Sequence, residues 1–400
     1  MGLFLSSTKI QQIESRKLKL VWRFLPRCRV SSTKIVQAES KAKFYLGWAD
    51  FIKIVCFLSC IFIGLPYLRR MKQKIIIAVI TMACVLHAGG TIPAEDRTMR
   101  AEADLFLSNL PVGLQAGQKA AIEKAIVGDC SELHRVRSSR NVGMELSAGV
   151  QARYVADNLR LYEPERRSDE ALPLLIYLHG GGWTFGSINS CARFCDAMAA
   201  TGRMKVLAVD YRLAPEYPYP CGLRDCEAAL DWAVVRVDEL GIDPSRIVVG
   251  GDSSGGNLAL ATALNRPGVA SGLLLFYPVV IAEADGSESW RKYGTGLGLD
   301  ADLMETFNRA YVGCGSAADT RISVGLASDE ELLRLPPILL IAAGRDILCD
   351  QGRTFADRFK HGGITRIEFP EAVHLFITVP GQSAAFRLAT EYASHFVAPE

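Results

Sequence analysis

A serine held between two glycines, Ser253 in Gly251-Asp-Ser-Ser-Gly255-Gly-Asn257, restricts how this 400-residue chain can fold more than any other feature. The residues before it, Arg246-Ile-Val-Val-Gly250, predict a buried strand, and the alanine- and leucine-rich run from Gly256 to Leu264 predicts a helix. Passing from one to the other in so few residues requires a tight turn with a strained backbone at its apex. Bulky side chains two positions either side of the apex would collide, so the glycines at 251 and 255 put the apex at Ser253. Ser254 would instead be flanked by Asp252 and Gly256. The chain must therefore end a strand near residue 252 and lift one serine hydroxyl out of it.

A serine hydroxyl is a weak nucleophile until a neighbouring base takes its proton, and a lifted serine points to acyl transfer through a serine ester. That reaction builds charge on a former carbonyl oxygen, where backbone N–H groups are the usual stabilisers; losing one typically costs about 10²–10³ in rate. Upstream, His179-Gly-Gly-Gly-Trp183 follows an apolar run, Leu172–Leu178, that reads as a strand. Glycine allows the close approach such donors need, so Gly181 and Gly182, with the amide of Ser254, are the expected oxyanion donors. His179 reads as a brace for the loop. Trp183 and Phe185 line an acyl pocket or belong to the core.

A base and an acid should follow in the order serine, carboxylate, histidine. The apolar strand Pro337–Gly344 ends at Arg345-Asp346, and Arg366–Val373 leads to His374. Of six histidines only His374 follows both the candidate acid and a strand. His395 and His361 sit in or beside helical stretches, His134 precedes the core, and His87 falls in an apolar N-terminal segment. Asp346 also invites a plainer reading as a helix cap, although Asp350 is better placed to cap a helix over 350–361. Asp252 is expected to pack the turn, and Arg212 and Glu216 to pair within their own proline-bearing loop.

Strands are expected at 172–178, 205–212, 246–252, 272–280, 337–344 and 365–370, with helices at 190–201, 222–240, 255–265, 301–311, 350–361 and 383–396. Such alternation predicts an α/β fold with a mainly parallel sheet covered on both faces and reactive groups at the strands' carboxyl ends.

Taken together, His179–Trp183, Asp210-Tyr-Arg-Leu-Ala-Pro-Glu216 with Pro218 and Pro220, Gly251–Leu258, Asp346-Ile-Leu-Cys-Asp350 and His374-Leu-Phe376 resemble the hormone-sensitive-lipase family of α/β hydrolases, which includes many bacterial carboxylesterases. The similarity spans roughly residues 100–400. It implies the α/β-hydrolase fold, a triad of Ser253, Asp346 and His374, and an oxyanion hole of Gly181, Gly182 and Ser254. It also implies a cap over the site from about 95–135, a helical stretch, and from 285–335. The chain departs from the family's commonest pattern at Ser254, where alanine is usual, at Leu375, where glycine often stands, and at Ile347, where proline is common. None of the three removes a catalytic group.

The first 70 residues differ in composition. They hold 13 Lys/Arg against 3 Asp/Glu, a net of +10, which leaves −8 for the rest of a chain whose total is +2. Within them Ser6-Ser-Thr-Lys-Ile10 recurs as Ser31-Ser-Thr-Lys-Ile35, which suggests translated upstream DNA, and Ile54–Leu68 is an apolar run of membrane-anchor character. Met71-Lys-Gln-Lys74, then apolar Ile75–Leu86 and small Ala88-Gly-Gly90, has the three parts of a secretory signal, so Met71 is an expected true start; a lipoprotein signal ending at Cys84 is a weaker reading. All these readings export the catalytic domain, 91–400, to the periplasm or beyond, free or membrane-anchored. Seven of the eleven cysteines lie at 130 or beyond, an odd number that leaves at least one without an intrachain partner. They read mainly as small buried hydrophobes, and neither Cys191/Cys195 nor Cys221/Cys226 has histidines at zinc-site spacing. No metal, cofactor or nucleic-acid partner is expected.

The resemblance therefore implies a serine carboxylesterase acting on small-molecule esters with short acyl chains, acetyl groups on carbohydrates among them. An amidase, peptidase or lactonase could use the same triad, and a ligand-binding relative without catalysis is a third reading.

Overall fold

The computed structural model describes residues 96–165, 170–359 and 363–399. The basic segment, the secretory-type segment, His87 and His361 lie outside the described residues. What is described belongs to one compact unit, Gly90–Glu400.

Eight strands form one sheet in the order β1-β2-β4-β3-β5-β6-β7-β8. They are β1 Val150–Ala156, β2 Leu159–Pro164, β3 Leu172–Leu178, β4 Lys205–Val209, β5 Ile242–Asp252, β6 Gly272–Phe276, β7 Ile338–Ala343 and β8 Ile364–Phe369. From β4 to β8 every pairing is parallel, while β1 and β2 form an antiparallel hairpin on the β4 edge. The central strands carry buried apolar runs, Leu174–Leu178, Val206–Val209, Ile247–Val249, Leu273–Phe276 and Ile338–Ala343, because both faces are covered. Their side chains alternate between two cores. Leu174, Ile176 and Leu178 join one core with Leu273, Leu275, Ile338 and Leu340. Leu175 and Tyr177 join the other with Leu274, Phe276, Leu339 and Ile341.

Among the described residues, nine longer helices accompany the sheet. They are α1 Asp96–Ser108, α2 Leu114–Ile126, α3 Ser131–Arg140, α4 Ala192–Ala199, α5 Cys221–Val234, α6 Ser254–Asn265, α7 Ala301–Val312, α8 Cys349–Asp357 and α9 Ser383–Val397. Helices α5 and α6 bury against the first core. Helices α4 and α9 bury against the second, α9 through its spaced alanines Ala385, Ala389 and Ala393. No helix among the described residues is long and apolar enough to cross a membrane.

Several expectations need correction. The β1–β2 hairpin was not anticipated: β1 reads Val-Gln-Ala-Arg-Tyr-Val-Ala with only Val150 buried, so this edge strand lacks the apolar run that marks its neighbours. The N-terminal stretch expected to be helical holds three helices, broken at Pro111-Val-Gly113 and at Gly128-Asp129, where both glycines have positive φ. The strand expected to 280 stops at Phe276 because Tyr277, at φ 35°, turns the chain. The strand expected to 212 ends at Val209, and the helix expected over 222–240 gives way to a separate turn at Val237–Leu240. Helix α8 ends at Asp357, before 361.

Candidate active site

Strand β5 ends at Asp252 and α6 starts at Ser254, which leaves Ser253 alone at the junction with φ 54° and ψ −118°. This non-glycine conformation persists because its surroundings fix it. The Ser253 N–H donates to the Phe276 carbonyl (2.9 Å), and the Ser253 carbonyl accepts from Asn257 and Val279. The flanking glycines are required by contact. A Cβ on Gly255 would lie 2.0 Å from the Leu178 carbonyl oxygen, and one on Gly251 would lie 2.5 Å from the same oxygen. Since Leu178 pairs with Gly251 across β3 and β5, the turn is wedged against the end of the strand that feeds the glycine loop.

Ser253, His374 and Asp346, far apart in sequence, meet here. His374 Nε2 lies 3.1 Å from Ser253 Oγ, and His374 Nδ1 lies 2.6 Å from Asp346 Oδ2. A carboxylate only accepts, so Nδ1 carries the proton and Nε2 is free to accept from the serine hydroxyl. All three side chains are buried. The second oxygen of Asp346 accepts from the Leu348 N–H at 3.0 Å, a local turn that leads into α8 without capping it, since Leu348 is the N-cap. Asp350, expected to cap α8, lies in its first turn, where its carboxylate accepts from Ser289 N–H and pairs with Arg353. The Tyr277 ring packs on the imidazole, with centroids 4.4 Å apart.

The glycine loop is fastened from below by Asp252. Its Oδ1 accepts from the Gly180 N–H and the Tyr177 hydroxyl, each at 3.0 Å. Burial pushes the Asp252 carboxyl up to about 6, with those two donors pulling the other way. His179 is fully buried, contacts the Gly180 carbonyl through Nδ1 at 2.9 Å and stacks on Tyr211 at 4.4 Å. Its burial lowers the imidazole pKa and keeps the ring neutral. Above this base the chain turns through Gly181 (φ 119°) and Gly182 (φ 61°). Their N–H groups donate to no acceptor among the described residues, and the Ser254 N–H, first in its helix, has no carbonyl to meet within α6.

Two helical segments come together near this loop. Helix α7 packs on α2. Phe307 of α7 lies so close that a Cβ on Gly182 would be 2.2 Å from its ring. Trp183 is buried and stacks on Tyr311 (centroids 4.3 Å, planes 3° apart), and Phe185 meets Phe307 edge-on. Both aromatics thus join the core that ties the loop to α7. From α1, Phe106 shares a small apolar cluster with Val373 and Leu375 beside His374.

Two pairings differ from expectation. Arg212 and Glu216 do not pair with each other: Arg212 grips Asp225, while both oxygens of Glu216 accept from Arg137 of α3. The sequence offered no signal for this, because Arg137 and Glu216 are 79 residues apart. Glu216 also meets His134 at 2.8 Å. Cys130, His134 and Glu216 bring their donor atoms within 4.8 Å of one another, a spacing that could admit a metal ion. The Arg137 fork already compensates the carboxylate, and burial raises the Cys130 thiol above its ordinary range. The cluster therefore fastens α3 to the loop after β4.

Comparison with known proteins agrees with this architecture. A family described as alpha/beta hydrolase fold matches residues 175–378. A carboxylesterase of Mycobacterium tuberculosis is 36% identical over 228 residues, 55% of this chain and 70% of the relative. An arylesterase of Saccharolobus solfataricus is 33% identical over 230 residues, 56% of this chain and 74% of its own. The crystal structure of carboxyl esterase 2 from the mycorrhizal fungus Tuber melanosporum is similar at a TM-score of 0.59 and 26% identity, covering 64% of this chain and 88% of that one. The chain belongs to the α/β-hydrolase fold family, among the carboxylesterases related to hormone-sensitive lipase.

Proposed function

We propose that this ester hydrolase works through a serine acyl-enzyme, with Ser253 as nucleophile, His374 as general base and then acid, and Asp346 as the group that orients the imidazole. The observation that carries this reading is the unbroken buried chain Ser253 Oγ–His374 Nε2, His374 Nδ1–Asp346 Oδ2, at 3.1 and 2.6 Å. His374 takes the serine proton as Oγ attacks the ester carbonyl, and Asp346 stabilises the resulting imidazolium without itself becoming protonated. The N–H groups of Gly181, Gly182 and Ser254 receive the oxyanion. Collapse of the tetrahedral intermediate expels the alcohol, which takes its proton from His374. Water activated by the same nitrogen then releases the acid.

The substrates are esters of short acyl chains, carbohydrate acetyl esters among them. The aromatic layer of Trp183, Phe307 and Tyr311 against the glycine loop supports a confined site, and the relatives include an ethyl acetate hydrolase of Pseudomonas putida. The test is hydrolysis of p-nitrophenyl acetate, butyrate and octanoate beside Ser253→Ala. The variant should lose about 10⁵–10⁶-fold in kcat while remaining folded, and the octanoate should be the poorest substrate. A variant that keeps its activity would refute Ser253 as nucleophile.

Export belongs to the same proposal and rests on the charged, apolar and small-residue parts of Met71–Gly90. Fractionation of expressing cells should find the protein outside the cytoplasm and shortened past residue 90. Full-length protein confined to the cytosol would contradict it.

A further inference from the structure

His374 stands at the end of a loop whose conformation is costly. The residue after it, Leu375, has φ 72°, in the left-handed region that a branched side chain adopts only under constraint. The loop must therefore be held by something outside it. The outside group is Gln382, the residue just before α9, whose side chain is almost wholly buried, with the residue 1% exposed. Its Oε1 accepts from the Val373 N–H at 3.0 Å, and its Nε2 donates to the carbonyls of Val373 (3.2 Å) and His374 (3.1 Å). One amide thus uses its acceptor and both donors on the peptide groups flanking the histidine.

We propose that Gln382 is a positioning residue for the His374 imidazole: it locks the backbone on both sides of the histidine and so sets the Nε2–Ser253 and Nδ1–Asp346 distances. Gln382 has no hydrogen bond to Ser253 or Asp346 and acts through the Val373 and His374 main chain. Other groups support the loop less directly. The Leu375 carbonyl accepts from Thr378 and Val379, and the Tyr277 hydroxyl accepts from the Ile377 N–H at 3.3 Å. Neither touches the peptide groups of 373 and 374. Because a misplacement of about 1 Å in a reacting group can cost about 10²-fold, loss of this clamp should appear in turnover before it appears in binding.

This inference rests on the proposed roles of Ser253, Asp346 and His374, and the experiment separates the two. Wild type, Ser253→Ala, Gln382→Met, Gln382→Glu and Ser147→Ala are assayed on p-nitrophenyl butyrate, with thermal melting and the far-downfield proton NMR region recorded for each. Gln382→Met keeps the length and removes every hydrogen bond. Gln382→Glu keeps the acceptor for Val373 but presents an anion to two carbonyls, and serves if the methionine variant does not fold. Ser147→Ala breaks a part-buried bond to Asp196 that belongs to neither the triad nor its loop, and controls for destabilisation alone.

The expected result is a fall in kcat of about 10- to 100-fold for the Gln382 variants, with KM little changed. The downfield resonance of the His374 Nδ1 proton should shift or broaden in them, while Ser147→Ala lowers the melting temperature and leaves kcat and the resonance alone. A folded Gln382→Glu with wild-type kcat and an unmoved resonance overturns the clamp, as does Ser147→Ala losing kcat to the same degree. Retained activity in Ser253→Ala instead overturns the underlying triad.

Discussion

Asp252 lies next to Ser253 yet hydrogen-bonds to neither His374 nor Asp346; its carboxylate works below the glycine loop. Its folded pKa of about 6 exceeds the ordinary aspartate value of about 4 because burial disfavours the charge. The folded protein therefore binds that proton more tightly than the unfolded chain. The stability this contributes is full below about pH 4 and is lost as pH rises through about 6. Asn at 252 keeps an acceptor for Gly180 and Tyr177 but cannot ionise. The melting temperature of wild type relative to Asp252→Asn should thus fall between about pH 4 and 6.5 and level off above. A difference that stays constant across this range would remove the buried titration. At this scale the sequence was most legible where chemistry demands fixed order and spacing: Ser253, His374 and Asp346 could be picked out because a nucleophile turn and two strand-end residues leave few candidates. Gln382 and Arg137 were not legible, since a glutamine before a helix and an arginine within one carry no local sign of the groups they will meet.

Among the elements, β3 and β5 matter most, because each delivers one half of the site and Leu178 faces Gly251 between them. A methyl group on Gly255 would meet the Leu178 carbonyl at 2.0 Å and that of His179 at 2.6 Å, both of them backbone. Neither can turn aside as a side chain would, so Gly255→Ala must push the glycine loop away from the serine. It should cost about 1–3 kcal/mol of stability by overpacking and lower kcat well beyond what partial unfolding explains, as denaturant melts and initial rates would measure. Gly117 offers the contrast: it lies within α2 with nothing near an added Cβ, and alanine there should stabilise by about 0.5–1 kcal/mol. The central strands were readable because burial on both faces leaves a continuous apolar run. The β1–β2 hairpin was not, because a mostly exposed edge strand such as β1 takes its order from pairing with its neighbour. The breaks in the N-terminal helical stretch did have a local cause, in Pro111, Gly113 and Gly128, that a periodicity reading smoothed over.

At the scale of the molecule, bonds from Arg100, Glu102, Asp104, His134 and Arg137 join the N-terminal helices to the rest of the described domain, and Arg137 is the most heavily used of these residues. It donates to Glu216, to the Ala214 carbonyl and, at 2.8 Å, to the Thr184 carbonyl just after the glycine loop. Arg137→Ala would leave the part-buried Glu216 with His134 in place of the bidentate guanidinium, at a cost of about 2–3 kcal/mol, somewhat below that of a fully enclosed pair. Calorimetry should record that loss, and Arg137→Ala/Glu216→Gln should recover part of it; equal melting temperatures for wild type and Arg137→Ala would contradict the fastening. The stack of Trp183 on Tyr311 joins the glycine loop to α7, and it has an optical consequence. An indole enclosed in a dry aromatic sandwich emits at shorter wavelength than one facing water. Any ligand that lifts α7 from the loop would therefore shift the emission of Trp183 to the red. With Trp232 and Trp290 replaced by phenylalanine to quiet the background from the described domain, the enzyme would carry a built-in gauge for the parting of α7 from the glycine loop, read in real time and without a label.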